Sequence, residues 1–398
     1  MKKAIFTLVG LMLILPMVAQ DASSIEAVLA QVEANNYTLK AAADQQQAQS
    51  LTALSGISLQ NPEVEFGYLW GSPSTPGNRF DFSVKQGLDF PSVYVQKKKI
   101  ATLEESISKT EYRATRREIL LSAHRCCIEL IYLNALEDEL TLRAKDAAQL
   151  AESYRKSLAQ GNATALENNK AQKSLLAING QLQDITSQRT SALNLLQQLN
   201  GGQAIVFTDS TYQDNSSLSA MSSFDEWFES TAQKSPVLQY LAQQIAKSER
   251  QVKLSNAQGL PQFTFGYRSE AVIAGEQFQG FIAGMSIPMW GNKNNVKAAK
   301  ASLRAARSSA QDQKMIFYEQ LRTLYERAAA LEKIDRHFHN TYSKLTNVDL
   351  LKKALSTGEI SLLDYLVELS LNYSLIDQDL ITERDLHLAL SELLSFEL

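Results

Sequence analysis

Glu63-Val64-Glu65-Phe66-Gly67-Tyr68-Leu69-Trp70 puts Val64, Phe66, Tyr68 and Trp70 on one side of an extended chain and Glu63, Glu65 and Gly67 on the other. A period of two with one apolar face marks a strand. The next run does the same: Phe80, Phe82, Val84, Leu88 and Phe90 oppose Asp81, Ser83, Lys85, Gly87 and Asp89, with Gln86 alone out of phase. Further along, Phe263, Phe265 and Tyr267 alternate with Thr264, Gly266 and Arg268, followed by Phe281, Ala283, Met285, Ile287 and Met289. These runs predict four strands, over 63–70, 80–90, 262–269 and 278–289.

Strands of roughly 8 to 12 residues are long enough to cross a bilayer when tilted, and apolar-out, polar-in alternation is the pattern of a membrane barrel. On that reading Val64, Phe66, Tyr68, Phe82, Val84, Phe263, Phe265, Tyr267 and Phe281 face lipid, while Glu63, Glu65, Asp81, Lys85, Thr264 and Arg268 face the lumen. The same alternation also fits a sheet half buried on helices. Four strands cannot close a barrel, and an open edge in lipid leaves its backbone groups unsatisfied, so several chains must share one. Two copies give eight strands and a filled interior; three give twelve, with room for a water-filled lumen.

Outside the strands the chain reads as helix. From Ser92 to Gln160 there is neither Gly nor Pro, and again from Asn292 to Thr357; each run is about 100 Å long at 1.5 Å per residue. Leu321, Leu324, Ala328, Leu331, Phe338, Tyr342 and Leu345 keep coiled-coil spacing, interrupted by Asp335. The chain also repeats itself. Ser23-x-x-Glu26 returns as Ser222-x-x-Asp225, Pro62 as Pro261, and Phe66-Gly67-Tyr68 as Phe265-Gly266-Tyr267, all at an offset of 199. After a slip of two residues, Lys156 to Gly161 matches Lys353 to Gly358, and Thr164-x-Leu166-Glu167 matches Ser361-x-Leu363-Asp364.

Each half therefore reads as helix, strand, strand, long helix, turn and returning helix. The first repeat covers 20–200, with a capping box at Ser23 and Glu26 opening a helix to about Ser58, a long helix over 92–160 and a return over 164–200. The second covers 222–398, with a long helix over 292–357 and a return over 361–398. Residues 201–221, with Gly201-Gly202 and a polar stretch, form an irregular link. The fold class is mainly α, with four strands contributed to a membrane β-barrel.

Lys2 and Lys3 precede an apolar run from Ala4 to Leu15 and then Pro16, Met17, Val18 and Ala19. That order is a secretory signal peptide over 1–19, an anchored helix being the alternative. No later stretch is expected to be apolar enough for a membrane helix. With 39 Lys+Arg against 43 Asp+Glu, the net charge of -4 offers no basic surface for nucleic acid. Gly 17 and Pro 8 in 398 residues fall below the average of about 7% and 5%.

The tandem halves, the paired Gly-x-x-[ST]-x-x-[DE] tips at Gly161–Glu167 and Gly358–Asp364, and the strand end Gln86-x-x-Asp89-Phe90-Pro91 resemble the TolC-type outer membrane efflux proteins. Length and the Phe90-Pro91 junction look most like the metal-efflux branch. The resemblance implies a homotrimer spanning outer membrane lipid, with a periplasmic helical tunnel that meets an adaptor protein and an inner membrane transporter. It implies that Gly161, Thr164, Gly358 and Ser361 form the adaptor-docking tips. It also puts an acidic ring at the periplasmic mouth on Asp364, with Glu368 and Glu167 as further pore-gate candidates; capping of their own helices is the competing role for Asp364 and Glu167.

No catalytic constellation emerges. His337 and His339, two apart on a helix, point to different sides and make a poor metal pair. Cys126 and Cys127 read as small buried hydrophobes. Neither metal nor cofactor is expected, and the rival to an efflux channel is a secreted coiled-coil adaptor or scaffold.

Overall fold

The structure is a computed structural model that describes residues 24–71, 77–212, 218, 223–232, 234–273, 275–290, 292–342 and 348–395. The proposed signal peptide, Ser23, Ser222 and Leu345 lie outside those residues.

The opening helix of each repeat is broken, where the sequence predicts one continuous helix. Helix α1 (Ile25–Asn35) is capped by Ser24, whose Oγ accepts from the Ala27 N–H at 3.2 Å. Helix α2 (Tyr37–Ser55) starts afresh at Asn36. The Asn36 side chain accepts from the Leu39 N–H at 2.9 Å and donates to the Leu199 carbonyl at 2.7 Å. Asn competes with the backbone inside a helix and caps one well, so the break falls there. The second repeat breaks at the residue 199 positions on: α5 (Phe224–Ala232) and α6 (Pro236–Ala257) are separated by extended Ser235, because Pro236 disfavours helical geometry in the residue before it.

The strands are β1 (Glu63–Leu69), β2 (Arg79–Leu88), β3 (Gln262–Val272) and β4 (Gln277–Ser286). β1 stops one residue short of the expected end, and β2 is shifted to start at Arg79 and end at Leu88. β3 runs three residues longer than expected, and β4 ends before Ile287 and Met289. β2 ends early because the Asp89 N–H is taken by the Tyr94 hydroxyl at 3.0 Å and Pro91 opens the next helix. All pairs are antiparallel in the order β1-β2-β3-β4, so the hairpins of the two repeats meet at β2–β3 and leave β1 and β4 as unpaired edges.

The helices follow the same lateral order. Helix α3 (Pro91–Ala159) packs against α2 and α6, and α6 against α7 (Asn295–Tyr342). Toward the other end α4 (Ala165–Leu199) lies on α3, and α9 (Leu362–Leu393) lies between α3 and α7, with α8 (Val348–Thr357) on α9. The second long run starts three residues late, because Asn292 turns to donate to the Ser255 carbonyl at 2.7 Å. It is described as α7 and α8 on either side of 343–347. The return helix ends at Leu393, short of 398.

Each repeat has its core at the middle of the layer, where the short helices end. Val28 and Val32 of α1 meet Ala123, Cys126, Cys127, Leu130 and Ile131 of α3, Leu196 of α4 and Phe207 of the link. Leu321 and Ala328 of α7 meet Phe228 of α5 and Leu386, Leu390 and Leu393 of α9. The link is irregular but tied down: Asn134 Nδ2 donates to the Asp209 carbonyl at 2.8 Å and the Tyr212 hydroxyl to the Ile128 carbonyl at 3.0 Å. One expectation is overturned. Helix α3 contains an 18-residue window of mean hydropathy 1.3, long and apolar enough to cross a membrane. That window is 61% buried inside the protein, since its apolar side chains fill this core.

Two arginines join the repeats. Arg143 of α3, 3% exposed, pairs with Glu139 and with Asp377 of α9, both at 2.8 Å, and lies 4.2 Å over the Tyr373 ring. Arg384 of α9 answers from the other side, 4.6 Å over Tyr132 of α3.

Candidate functional site

The register of the sheet sorts every strand residue onto one of two faces. On one face Val64, Val84, Tyr267 and Phe281 form a continuous row, flanked by Phe66 beside Phe82 and by Phe265 beside Ala283. Tyr68 and Phe263 lie on this face too, so all nine residues expected to face lipid share it. Phe66 and Phe82 pack at a tilt of 44° with centroids 5.1 Å apart and Tyr267 meets Phe281 edge-on at 6.2 Å. Phe281 is 94% exposed in the single chain and Phe66 71%. A soluble monomer rarely exposes an aromatic patch of this kind. β4 departs from the pattern at its start, with Gln277 and Gln279 on the apolar face and Phe278 on the other.

The opposite face carries Glu63, Glu65, Asp81, Lys85, Thr264 and Arg268. Its charges interlock: Lys85 Nζ bonds Glu65 at 2.5 Å, Ser83 Oγ donates to the same carboxylate at 3.1 Å, and Arg268 reaches Asp81 at 3.5 Å and Glu270 at 3.6 Å. Arg79 closes the ladder through Glu270 at 2.7 Å. Arg79 and Glu270 were missed in the sequence because the strands were drawn too short; extending the alternation by one step puts both in phase with the polar face. Gly266 is required in this ladder, since a Cβ there would come within 2.6 Å of the Val84 carbonyl oxygen.

The helical tips are built alike. Gly161 and Gly358 have φ of 77° and 78°, the left-handed geometry that ends a helix. At the first tip the Asn162 N–H bonds the Ser157 carbonyl at 2.8 Å and the Gly161 N–H the Leu158 carbonyl at 3.0 Å; at the second, Glu359 bonds Ala354 at 2.9 Å and Gly358 bonds Leu355 at 3.2 Å. A Cβ at either glycine would meet open space, so their backbone is exposed. Each following helix opens with a complete capping box, Thr164 with Glu167 and Ser361 with Asp364.

That geometry bears on the gate candidates. Glu167 Oε2 accepts from the Thr164 N–H and hydroxyl, both at 2.7 Å; Asp364 Oδ2 accepts from the Ser361 hydroxyl at 2.6 Å and its N–H at 3.4 Å. The Thr164 backbone bond, with the hydroxyl behind it, holds the Glu167 carboxyl below its ordinary range. Glu368 is exposed one turn beyond Asp364. The tips are stapled to the body by Lys352 with Asp146 at 2.6 Å and by Tyr365, packed with Leu150 and Tyr154.

Cys126 and Cys127 are free and buried; Cys126 donates to the Ala192 carbonyl at 3.2 Å, and burial pushes its thiol up to about 11. His124 turns away from them to Ser391 Oγ at 2.5 Å, and His387 stacks on Tyr212 at 4.1 Å.

No protein-family model and no curated protein sequence matches the chain. Solved structures do. The chain superposes on CusC, described for its folding and transmembrane channel formation, with TM-score 0.79 at 13% identity over 95% of this chain and 92% of that one. It superposes on the Campylobacter jejuni CmeC outer membrane channel with TM-score 0.75 at 16% identity, over 94% and 85%. The outer membrane protein VceC of Vibrio cholerae gives 0.74 at 15%, over 95% of both chains. Across nearly its whole length, the chain has the fold shared by these outer membrane channel structures.

Proposed function

We propose that the chain is the outer membrane channel of a tripartite efflux system, a passive exit duct and not an enzyme. The observation that carries this is the sheet: one aromatic face open to the surroundings, one charged face, and two unpaired edges. In lipid those edges must pair, and the only complementary edges available are those of further copies, β4 of one against β1 of the next. The helices repeat the argument. The β1 side of the layer exposes Leu51, Leu54 and Leu176, and the α7 side exposes Met315 and Ile316. Head-to-tail contacts of this kind close into a ring, and three copies give a twelve-stranded barrel with an open lumen. The proposal therefore includes a homotrimer in outer membrane lipid with its helices in the periplasm.

The exposed turns at Gly161–Thr164 and Gly358–Ser361 are the proposed docking surface for a periplasmic adaptor that links the channel to an inner membrane transporter. Asp364, with Glu368 and Glu167, is the proposed gate at the same end. The Phe90-Pro91 junction, with Pro91 at the first position of α3, supports a place in the metal-efflux branch. A secreted coiled-coil adaptor would share the hairpins but has no use for an aromatic sheet face.

Membrane fractionation with gel electrophoresis tests the reading. The protein should sediment with outer membranes, migrate as a trimer when unheated and shift on boiling. A soluble periplasmic monomer would overturn it.

A further inference from the structure

Asp335 interrupts an otherwise apolar seam, and His339 has no useful partner in His337. The structure resolves both oddities together. Asp335 and His339, four residues apart on α7, share a helix face, and α9 brings Asp379 beside them. His339 Nδ1 lies 3.6 Å from Asp335 Oδ1 and 4.0 Å from Asp379 Oδ1, and the ligating atoms of all three fall within 4.8 Å of one another.

The two carboxylates are in an awkward state without a further partner. Asp335 Oδ1 and Asp379 Oδ1 are each shut off from solvent with no hydrogen bond. Among the described residues no Lys or Arg forms an ion pair with either: Arg336 is bonded to Glu332 at 2.5 Å, and Arg143 to Glu139 and Asp377. Carboxylate oxygens of like charge that are shut off from solvent and accept no hydrogen bond are costly unless a cation joins them.

We propose that Asp335, His339 and Asp379 form a site for a divalent transition-metal ion of the zinc type, which ties α7 to α9. One imidazole nitrogen with two carboxylate oxygens suits borderline first-row ions better than calcium or magnesium. Metal–ligand bonds of about 2.0–2.2 Å arranged tetrahedrally put the ligand atoms about 3.3–3.6 Å apart. The observed 3.6 and 4.0 Å close to that with small side-chain rotations. His339 is 65% exposed while the acids are 22% and 24% exposed, so the ion enters past the imidazole and keeps one position open to water. Asp335 and His339 lie on α7 (Asn295–Tyr342) and Asp379 on α9 (Leu362–Leu393), so the ion would tie the two helices together at this point. This site belongs to the single chain and does not depend on the efflux reading.

The test uses the full-length protein in detergent, stripped with chelator and titrated with Zn2+ by calorimetry and with Co2+ by visible absorption. The expected result is one ion per chain, a Co2+ band of tetrahedral intensity, and a rise in melting temperature with Zn2+. His339→Gln and Asp379→Asn should each weaken binding at least about tenfold and abolish that rise, while His337→Gln stays within twofold of the parent. His339→Gln changes an exposed side chain and leaves the fold intact. No Co2+ band in the parent protein, or His339→Gln binding within twofold of it, overturns the proposal.

Discussion

Arg placed at Val84 is the sharpest test of the barrel. β2 has ten residues; at about 3.4 Å per residue and a tilt near 40° it rises about 25 Å, the height of the apolar band of an outer membrane barrel. Val84 is the sixth of the ten, and its row across the sheet, Val64, Tyr267 and Phe281, is apolar throughout. Phe82, two residues outward, shares its row with Ser269 and Gln279, which marks it as nearer the membrane surface. Val84→Arg should therefore carry the mid-membrane penalty of about 2–4 kcal/mol, roughly a 30- to 700-fold loss in the folded-to-unfolded ratio. Thr264→Arg is the matched control on the other face. Its row neighbours are Gly87 and Gly284; the Gln60 side chain fills the space over Gly87, but over Gly284 a Cβ would meet only Thr264 itself, so the longer side chain has room on that side and the expected cost is within about 1 kcal/mol. The assay is the heat-modifiable, membrane-inserted fraction after refolding into short-chain lipid vesicles, followed against urea. If both variants lose the same stability, or Thr264→Arg loses more, the assignment of the faces is wrong.

Three further outcomes follow from the tips. Gly161→Trp combined with Gly358→Trp should leave trimers intact but abolish adaptor crosslinking and export, whereas the Asn pair, which tolerates left-handed backbone, should keep both. Asp364→Asn should reduce cation selectivity and block by divalent ions in single-channel recordings; if only the cap matters, both stay unchanged and the helix start weakens. Glu167 has its carboxyl lowered in the folded tip, so its stabilising bonds are fully present above the unfolded value of 4.5 and are lost as pH falls through the lower folded value. Amide exchange at the start of α4 should therefore rise as pH drops below about 4.5 relative to its intrinsic rate, and Glu167→Gln should remove that dependence.

Local patterns carried most of the fold. The alternation in Glu63–Leu69 and Arg79–Leu88 is a property of neighbouring residues, and the Gly-x-x-[ST]-x-x-[DE] tips encode turn and cap within seven positions. The breaks at Asn36 and Ser235 were written in the chain as well, since they align at the repeat offset, but helical periodicity runs through both and hides them. The metal cluster was beyond the sequence for a different reason. Asp379 lies on another helix, and only the packing of α9 on α7 brings it to Asp335 and His339. The same holds for Arg143 and Asp377, whose pairing depends on the second repeat docking on the first.

The ladder on the polar face of the sheet has an electrical consequence. Glu65, Asp81 and Glu270 are answered by Lys85, Arg268 and Arg79 at contact distance, leaving Glu63 as the one carboxylate of that face in excess. Opposite charges so closely interleaved cancel within a few ångströms, well inside the screening length of about 8 Å at physiological salt. An ion travelling along the axis of a wide lumen would feel almost no field from this wall. In the proposed channel the barrel would then be an electrically quiet sleeve, indifferent to the sign of what passes, and any discrimination by charge would fall to the proposed gate at the helical end.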